Sequence, residues 1–367
     1  MGILQPIWDG TFVYREPVCF SADKDGRPTG GTLLYQPEEI LSVTSFDGSV
    51  FYQPVRDYTA NGRQLVRTEA SRIPYLERSV YCKPFTGVPE TAWVRLSGGK
   101  AYMEVVSDVY RWQTLVTYTH RDKWAGFQPE ACGESLPRSM EKLRTGGDFH
   151  LTLYGDSITA GWEASGCNER AIDMVTLGEY HVSLWHAPYQ PAWAELVTNA
   201  LQARYPQSNV IKTNRAAGGS TVQWGGEHAA ELVPPCKPDL ITLGFGMNSM
   251  QESAEDYRRA ILSIIRTIRK ECHDCEFVLM SPMIPNPEIK GFQNNQLPAQ
   301  QDVLYQIAAE LEGVCIAPVH SVFREMTARG KHYLELTGNC INHPNDFSVR
   351  VYAQTVLRTL GVDGNDG

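Results

Sequence analysis

The sequence lacks the features of a membrane-spanning or nucleic-acid-binding protein. None of its apolar runs is long enough to cross a bilayer. Basic residues are few relative to acidic ones, with 33 lysines and arginines against 42 aspartates and glutamates and a formal net charge of −9. Because binding to a phosphate backbone requires clustered basic side chains, we expect neither a nucleic-acid partner nor a membrane partner.

The first residues also lack the pattern of a secretory signal. Residues 1–6 contain no basic stretch followed by an apolar core. The nine cysteines are odd in number and scattered along the chain, which is typical of reduced thiols rather than of a disulfide framework. Together these observations predict a cytoplasmic protein.

One pair of cysteines has the spacing of half a zinc site. Cys272 and Cys275 are separated by two residues, but the sequence has no second close pair that could complete four ligands. We therefore interpret residues 272–275 as a turn between a helix and a strand. We expect neither a metal ion nor an organic cofactor.

Residues 1–145 have the pattern of an accessory β domain. Short segments of alternating apolar and polar residues recur, as at 101–106 and 112–118. Turn signals separate such segments at Asp47-Gly48, Asn61-Gly62 and Gly98-Gly99. Many short strands with this punctuation predict an antiparallel β-sandwich of jelly-roll type. The polar stretch 128–147, which contains glycines and a proline, is interpreted as a connector.

Residues 146–367 instead show strands alternating with longer helices, which predicts an α/β domain with a parallel sheet. Apolar runs suited to buried parallel strands occur at residues 149–154, 210–213, 240–245, 277–281 and 314–319. Helical periodicity occurs at residues 193–205, 254–270 and 348–360. Ligands of such sheets bind beyond the carboxyl ends of the strands.

Ser157 follows the first of these strands. In the stretch 151–161, LTLYGDSITAG, an apolar run ends at a glycine, an acid and a serine. Ser157 could be a nucleophile at the carboxyl edge of the sheet, or Asp156 and Ser157 could only cap a following helix. The Gly-x-Ser-x-Gly pattern of a nucleophile elbow does not apply, because the residue two positions after Ser157 is Thr159.

Three later stretches favour the catalytic alternative. Residues 214–221, NRAAGGST, follow the second strand, residues 244–249, GFGMNS, follow the third, and residues 342–346, NHPND, precede the last helix. The strand pattern places all three at the same edge of the sheet. A serine, a glycine amide, an asparagine side chain and a histidine could therefore converge there.

These motifs resemble those of the SGNH hydrolases, also called the GDSL family of esterases and lipases. GDSITAG is similar to the nucleophile motif of the family, NRAAGGST to its glycine motif, GFGMNS to its asparagine motif and NHPND to its histidine motif, in the same order. The resemblance covers roughly residues 148–362. It implies a flavodoxin-like three-layer α/β/α domain at residues 146–367 and the activity of a carboxylic ester hydrolase.

The resemblance also implies a role for each motif residue. Ser157 would attack an ester carbonyl, and His343 would act as its base and then protonate the leaving alkoxide. The backbone N–H groups of Ser157 and Gly219 and the side-chain amide of Asn248 would form the oxyanion hole. Glycine at position 219 would let the backbone come close to the substrate.

The histidine motif departs from the family pattern at one position. The family usually has an aspartate three residues before the histidine, and Cys340 stands there in this sequence. Either Ser157 and His343 act as a dyad, with a backbone carbonyl that orients the ring, or another acid such as Asp346 replaces the aspartate. Asp346 is also interpreted as the N-cap of the final helix. Ser249, where the family often has an aspartate, is expected to have little effect on the chemistry.

Aromatic residues between the nucleophile and the next helix favour a carbohydrate substrate. The segment 162–190 contains Trp162, Tyr180, His181, Trp185, His186 and Tyr189. Aromatic faces suit sugar rings, although each of these residues could instead pack the segment onto the domain. The segment has no aliphatic run of the kind that a fatty-acyl groove needs. Further aromatic candidates are Trp112, Trp124 and Trp224.

The N-terminal β domain adds to the resemblance. Proteins of this family with such a domain resemble bacterial carbohydrate esterases, which remove acetyl groups from fragments of plant polysaccharides. The resemblance therefore implies an acetylated carbohydrate as the substrate. Two alternatives stay open: a lipase, lysophospholipase or thioesterase with the same mechanism, and a carbohydrate-binding protein whose hydrolase domain is inactive.

Overall fold

The computed structural model describes residues 3–84, 101–103, 109–289 and 291–362. Its strands are β1 (Phe12–Val18), β2 (Phe20–Ala22), β3 (Pro28–Thr29), β4 (Pro37–Ser45), β5 (Tyr58–Asn61), β6 (Gln64–Arg67), β7 (Tyr75–Leu76), β8 (Cys82–Pro84), β9 (Ala101–Met103), β10 (Thr114–His120), β11 (Gly147–Gly155), β12 (Asn168–Ile172), β13 (Glu179–Ser183), β14 (Ser208–Asn214), β15 (Leu240–Gly244), β16 (Glu276–Met280) and β17 (Val314–Ala317). Its helices are α1 (Arg78–Tyr81), α2 (Pro137–Thr145), α3 (Trp193–Arg204), α4 (Val222–Leu232), α5 (Ala254–Arg269), α6 (Leu297–Glu310), α7 (Val319–Ala328), α8 (Tyr333–Leu336) and α9 (Asp346–Leu360). Of the helices in the described ranges, none combines the length and the apolar character needed to cross a membrane.

The C-terminal part is organised around a parallel sheet with the strand order β14–β11–β15–β16–β17. Helices α2, α3, α7 and α9 pack in the apolar cluster on one face, and α4, α5 and α6 pack mainly in the cluster on the other. Successive residues of a strand point to opposite faces, so Leu153 of β11 joins the first cluster and Tyr154 the second. The prediction of a three-layer α/β/α domain is confirmed.

The predicted strands of this sheet are all present. Strands β11, β15, β16 and β17 are largely buried on both faces, whereas the edge strand β14 is mostly half-buried. Residues 149–154 lie in β11 and residues 210–213 in β14, whereas the run predicted at 314–319 is too long by two residues. Strand β17 ends at Ala317, and Pro318, which has no backbone N–H to donate, separates it from α7.

Helix α5 illustrates how the local sequence determines a helix, through its cap and its apolar stripe. The hydroxyl of Ser253 accepts a hydrogen bond from the backbone N–H of Asp256 and so caps the first turn. One apolar stripe is buried against the sheet, formed by Tyr257, Ile261, Ile264, Ile265 and Ile268. The helix ends at Arg269, and residues 270–275 then lead to β16, so Cys272 and Cys275 lie in a helix-to-strand turn as expected.

An inserted hairpin lies between β11 and α3. Strands β12 and β13 pair antiparallel, and a further bridge joins Ile172 to Ala217 in the glycine motif. The indole N–H of Trp224 in α4 donates to the carbonyl oxygen of Met174 at 3.2 Å. The hairpin is therefore fixed to the segment that follows β14.

The N-terminal part consists of small, mostly antiparallel sheets, as predicted for a β-sandwich. Strands β1, β10 and β4 form one antiparallel sheet, while β2 pairs antiparallel with β3 and parallel with β7. The strand predicted at 112–118 begins two residues later, as β10. Of the strand predicted at 101–106, residues 101–103 form β9, and residues 104–106 lie outside the described residues, as does the turn at Gly98-Gly99. The jelly-roll strand order and the domain boundary at residue 145 stay predictions.

The interpretation of residues 128–147 as a connector is wrong for residues 137–145, which form α2. Pro137 occupies the first turn of this helix, where its missing N–H costs nothing, and Met140 and Leu143 are buried against the sheet. The ammonium group of Lys142 binds the carboxylate of Asp239 at 2.6 Å. The helix therefore packs as part of the α/β layer structure.

Candidate active site

Ser157 lies at the carboxyl end of the central strand β11, in a series of turns. The backbone N–H of Asp156 donates to the carbonyl oxygen of Gly244 at the end of β15, at 3.1 Å. Oδ1 of Asp156 accepts a hydrogen bond from the N–H of Ile158 at 3.0 Å. Turns continue as far as Glu163, and in the described part of the chain no α-helix begins here. The alternative that Ser157 caps a helix is wrong, because Asp156 caps a turn instead.

The carboxyl group of Asp156, the residue before Ser157, is buried. Burial raises its pKa to about 6, and hydrogen bonds from the backbone of Ile158, Thr159 and Met247 oppose that rise. Met247 belongs to the asparagine motif. Asp156 therefore connects the turn that contains Ser157 to the loop of the asparagine motif.

His343 contacts Ser157 at the carboxyl edge of the sheet. Oγ of Ser157 and Nε2 of His343 are 2.9 Å apart, at hydrogen-bonding distance. Ser157 is buried, and the side chain of His343 is 12% exposed. A serine hydroxyl becomes a useful nucleophile only when a base can take its proton, and this distance allows the transfer. The structure brings together the two residues that were predicted to react, and their catalytic roles stay predictions.

The loop that carries His343 is built around Asn339. Oδ1 of Asn339 accepts hydrogen bonds from the backbone N–H groups of Ile341, Asn342 and His343 at 2.9, 3.0 and 3.1 Å. Cys340 has a φ of 63°, and its side chain is fully buried in an apolar cluster. The residue at the usual aspartate position therefore contributes packing rather than an acid.

Asp346 does not contact the ring of His343. Its two carboxylate oxygens accept hydrogen bonds from the backbone N–H and the hydroxyl of Ser165, at 2.8 and 2.7 Å. Burial raises the pKa of this carboxyl group. The prediction that Asp346 is the N-cap of α9 is wrong by one residue, because Asn345 accepts the hydrogen bond from the N–H of Ser348 at 3.0 Å.

Glu163 instead lies beside the second ring nitrogen of His343. Its Oε1 is 3.7 Å from Nδ1, and its side chain is 18% exposed. Glu163 lies six positions after Ser157 in the sequence, and nothing in that spacing indicates a contact with a histidine 180 residues later. This residue was missed by the sequence analysis.

The glycine motif crosses the edge of the sheet next to Ser157. The N–H of Ala217 donates to the carbonyl oxygen of Gly155 at 2.9 Å, and the hydroxyl of Ser220 donates to the same oxygen at 3.1 Å. Gly219 has a φ of 80°, which an L-residue rarely adopts, and it is exposed with open space where a Cβ would lie. A backbone in this position is accessible to a substrate.

Asn248 follows β15 in a short 3₁₀ turn and is exposed. The side-chain amide of Asn248 has two N–H groups. One donates to the carbonyl oxygen of Ser220, with a distance of 3.0 Å between Nδ2 and that oxygen, and the other can donate to a ligand. The neighbouring Ser249 accepts a hydrogen bond from the N–H of Val222 at 2.9 Å. Ser249 thus supports the start of α4, and the proposed oxyanion roles of Ser157, Gly219 and Asn248 stay predictions.

Trp162 stands between the glycine motif and the histidine. Its ring packs on Gly218, where an added Cβ would lie 2.6 Å from the indole, and its edge-to-face contact with His343 has a centroid distance of 5.5 Å. The ring therefore occupies space beside Ser157. In an esterase, a side chain in this place limits the room for an acyl group.

The other aromatic candidates divide into packing and exposed residues. Trp224 holds the hairpin, as described above, and Trp124 is buried under the guanidinium group of Arg329 at 4.1 Å. Trp185 and Tyr189 are 66% and 49% exposed, with ring centroids 5.1 Å apart.

The loop that carries Trp185 and Tyr189 joins the turn after Glu163. The N–H of His186 donates to the carbonyl oxygen of Ser165 at 3.0 Å, and that of Gln190 to the Ser165 hydroxyl at 2.9 Å. The exposed aromatic pair is therefore fixed to the turn that follows Glu163. Tyr180 is half-buried and His181 is exposed, both on β13.

The N-terminal part supports the loop of His343 directly. The buried amide of Gln113, just before β10, donates to the carbonyl oxygens of Leu334 and Thr337 at 2.7 and 2.8 Å. Its oxygen accepts a hydrogen bond from the side chain of Asn345 at 3.0 Å. Trp112 packs against the apolar cluster that contains Cys340. The β-rich part therefore positions the loop, although neither of its predicted aromatic residues contacts Ser157 or His343 in the described structure.

A buried ion cluster reinforces this contact. The ammonium group of Lys331 lies 3.0 Å from the carboxylate of Glu16 in β1 and 3.4 Å from that of Glu335 in α8, and all three side chains are fully buried. Glu335 also accepts a hydrogen bond from the N–H of Gly31 at 2.8 Å. A buried charge without its partner is costly, so these residues bind the two parts of the chain together.

Within the described residues, no group of three or more histidine, cysteine or acidic side chains is arranged to hold a metal ion. The expectation that the chemistry uses no metal or cofactor stays a prediction.

A comparison with protein-family models matches residues 153–348 to the GDSL-like lipase/acylhydrolase family. The matched range begins in β11 and ends in α9, and it contains the nucleophile, glycine, asparagine and histidine motifs. A comparison with curated proteins finds no match.

Solved structures with similar folds include three esterases or hydrolases. A two-domain esterase active on acetylated mannans, co-crystallised with mannopentaose, is 19% identical, with a TM-score of 0.46 over 62% of this chain and 53% of that protein. The acetylxylan esterase Axe2 of Geobacillus stearothermophilus is 20% identical, with a TM-score of 0.46 over 59% and 96%. LAE5, an α/β hydrolase from the metagenome of Lake Arreo in Spain, is 20% identical, with a TM-score of 0.46 over 61% and 100%. The match spans about half of the two-domain esterase, and these similarities are too distant to indicate a substrate.

Proposed function

Because the chain belongs to the GDSL-like lipase/acylhydrolase family and is a carboxylic ester hydrolase, we propose that it removes O-acetyl groups from carbohydrates through an acyl-enzyme on Ser157. The observation that carries the mechanism is the 2.9 Å contact between Oγ of Ser157 and Nε2 of His343. The acetyl part of the proposal is supported by Trp162, which packs against His343, and the carbohydrate part by the exposed Trp185 and Tyr189 on the loop fixed to Ser165.

In the proposed reaction, Oγ of Ser157 attacks the carbonyl carbon of the acetyl ester while its proton passes to Nε2 of His343. The tetrahedral intermediate then expels the sugar alkoxide, which takes that proton from the imidazolium. The acetyl group is left on Ser157. A water molecule gives one proton to His343 as it attacks this ester, and that proton passes to Oγ as the bond between Oγ and the acetyl carbon breaks. Acetic acid leaves and loses its remaining proton to solvent, which gives acetate.

Three N–H donors stabilise the negative oxygen of the intermediate in this mechanism. They are the backbone N–H groups of Ser157 and Gly219 and the amide hydrogen of Asn248 that does not bind Ser220. Donors held in place before the reaction lower the barrier because they need no reorganisation as charge develops. The left-handed backbone conformation of Gly219 orients its N–H, and the hydrogen bond from Asn248 to Ser220 orients the second amide hydrogen of Asn248.

A short acyl group is supported by the position of Trp162. Its ring packs on Gly218 and touches His343, so it fills space that a longer acyl chain would need next to Ser157. An acetyl group requires the least room of the common acyl groups.

A sugar as the alcohol part is supported by Trp185 and Tyr189. The two exposed rings offer flat apolar faces with polar surroundings, which suit a sugar ring. Both residues are on the loop fixed to Ser165.

The proposal is tested by acetate release from acetylated xylan, mannan and pectin oligosaccharides. The protein should release acetate from at least one of them, and Ser157→Ala should release none while remaining folded. Full activity of the folded Ser157→Ala variant would reject Ser157 as the nucleophile. Binding of these oligosaccharides without acetate release would instead favour the alternative of an inactive hydrolase domain.

The substrate class is tested separately. We expect higher kcat/KM for an aryl acetate than for the aryl octanoate, and the reverse order would favour a lipase or lysophospholipase. Trp185→Ala should raise KM for an acetylated oligosaccharide by about 2–10-fold, the size of one aromatic contact, and leave KM for the aryl acetate unchanged. Tyr305→Ala, which removes an exposed ring from α6, is the matched control.

A further inference from the structure

We propose that Glu163 is the positioning residue that orients the imidazole of His343 and stabilises its protonated form, in place of an aspartate at position 340. This inference rests on the proposed function, because it assumes that His343 is the base. It differs from the family pattern in that the acid comes from the turn after the nucleophile rather than from the loop of the histidine.

The ring of His343 has one nitrogen without a hydrogen-bond partner. Nε2 faces Ser157, whereas Nδ1 is buried from solvent and has no partner among the described residues. A buried N–H without an acceptor is costly, and the cost grows when the ring carries a positive charge. An acceptor for Nδ1 is therefore needed during the reaction.

Three acidic side chains from the turns after β11 and from the loop of His343 are candidates for this acceptor. The carboxylate of Asp156 accepts hydrogen bonds from backbone N–H groups of its own turn and of Met247, and it interacts with His343 only as a nearby charge. The carboxylate of Asp346 is bound on both oxygens by Ser165. Glu163 has an oxygen 3.7 Å from Nδ1, and that oxygen makes no hydrogen bond to another described residue.

The backbone holds Glu163 in this place. Glu163 has a φ of 70°, a left-handed conformation that turns the chain after Trp162. Gly338 lies directly against it, since a Cβ on that glycine would be 2.8 Å from Cβ of Glu163. Gly338 in turn donates its N–H to the carbonyl oxygen of His343 at 2.9 Å. The acid and the histidine are therefore held from the same short segment.

The distance of 3.7 Å is longer than a hydrogen bond by less than 1 Å. Contacts of catalytic groups are often long before a substrate binds and shorten in the reacting complex. In that complex, Nδ1–H donates to Oε1 of Glu163. This fixes the tautomer in which Nε2 can accept the proton of Ser157, and the carboxylate stabilises the imidazolium that forms.

The test compares Glu163→Gln and Glu163→Asp with the unmodified protein on an aryl acetate. Glu163→Gln should lower kcat by about 10²–10⁴-fold with little change in KM, the result of losing the acid behind a catalytic histidine. Glu163→Asp keeps the charge but is shorter, and it should recover part of this loss. Glu255→Gln, a change at an exposed carboxylate on α5, is the matched control and should have no effect.

A pH profile separates positioning from a merely structural role. The acidic limb of kcat/KM should move to lower pH in Glu163→Gln, because a negative charge 3.7 Å from the ring of His343 has been removed. Asp156, which also interacts with His343, is retained in this variant and should leave a residual effect. Titration of ¹⁵N-labelled His343 by NMR should show the same displacement in the absence of substrate.

An unshifted acidic limb and an unshifted NMR titration in a folded Glu163→Gln protein would overturn the inference, as would a kcat within about threefold of the original. These results would leave the proposed function intact if Ser157→Ala and His343→Ala are inactive. Full activity of those two variants would instead reject the proposed function, and the two failures are therefore distinguishable.

Discussion

Asn248 donates one amide hydrogen to the carbonyl oxygen of Ser220 at 3.0 Å, so the asparagine motif and the glycine motif are joined directly at the edge of the sheet. The bond fixes the direction of the second amide hydrogen, which an Asn side chain on its own would not hold. Preorganisation of this kind is what gives an oxyanion donor its effect on the rate.

We expect Asn248→Ala to lower kcat for an aryl acetate by about 10²–10³-fold, as for the loss of one oxyanion donor. KM should change little, because the contact strengthens mainly in the transition state. Asn248 is exposed, so thermal unfolding should be unchanged. The matched control is Asn209→Ala, which changes an exposed asparagine at the amino end of β14, away from the carboxyl edge of the sheet. Equal kcat values for the two variants would contradict the assignment of Asn248.

Trp162 is expected to determine the preferred acyl length. Trp162→Ala opens space beside Ser157 and should raise kcat/KM for an aryl butyrate relative to the acetate. The contact with His343 is lost as well, so activity on the acetate itself should fall. Trp224→Ala removes a half-buried indole from α4 and serves as the control. If both variants keep the original acetate-to-butyrate ratio, Trp162 does not line the acyl site.

Gln113 should stabilise both the fold and the site. Gln113→Met keeps the approximate volume but leaves two carbonyl oxygens and the amide of Asn345 without their buried partner. We expect a decrease in the free energy of unfolding of about 2–4 kcal/mol, since each such group costs about 1–3 kcal/mol. Urea unfolding measures this change, and kcat should also fall because the loop of His343 loses its support. Gln36→Met, at an exposed position, should be nearly neutral, and similar losses in both variants would argue against this role for Gln113.

His320 is expected to make the protein sensitive to acid. Burial, and to a lesser extent the charge of Arg324, lowers the pKa of His320 to about 4 from an ordinary value of 6.5. Between those two pH values the unfolded chain binds a proton that the folded protein does not, so stability falls as the pH falls. From pH 7 to pH 5 the loss from this residue should be about 2 kcal/mol.

Urea unfolding of His320→Leu at the two pH values tests this expectation. The variant should lose about 2 kcal/mol less than the original protein on acidification. His181→Leu, at an exposed position, is the matched control. A His320→Leu protein with the same pH dependence as the original would show that this histidine titrates normally.

The sheet and its motif loops could be predicted because their signals are local. A strand covered on both faces must be apolar throughout, and residues 240–245 contain such a run, which β15 matches to within one residue. Helix α2 could not be predicted in this way, because its exposed face is polar like a connector. Pro137 does not decide the question, since proline is common both in connectors and in the first turn of a helix.

The contacts of the acids could not be predicted in the same way. Asp346 and Asn345 are both good helix caps, and only the geometry at the start of α9 decides between them. Glu163 lies beside His343 because its own left-handed backbone conformation and the close approach of Gly338 bring two distant segments together. The spacing of residues in the sequence indicates neither of these features. Motif order predicts which loops meet, whereas the direction of each side chain depends on contacts across the whole sequence.

Buried polar contacts join the β-rich part to the α/β part, through the cluster of Lys331, Glu16 and Glu335 and through Gln113. Neither part can therefore be replaced by an unrelated domain without loss of these contacts. A recombinant fragment that begins after residue 145 would contain both Ser157 and His343. It would lack Glu16, one of the two carboxylates that bind Lys331, and Gln113, which binds the segment before His343. In this lineage, loss or replacement of the β-rich part during evolution would have to be accompanied by changes at positions 331 and 345.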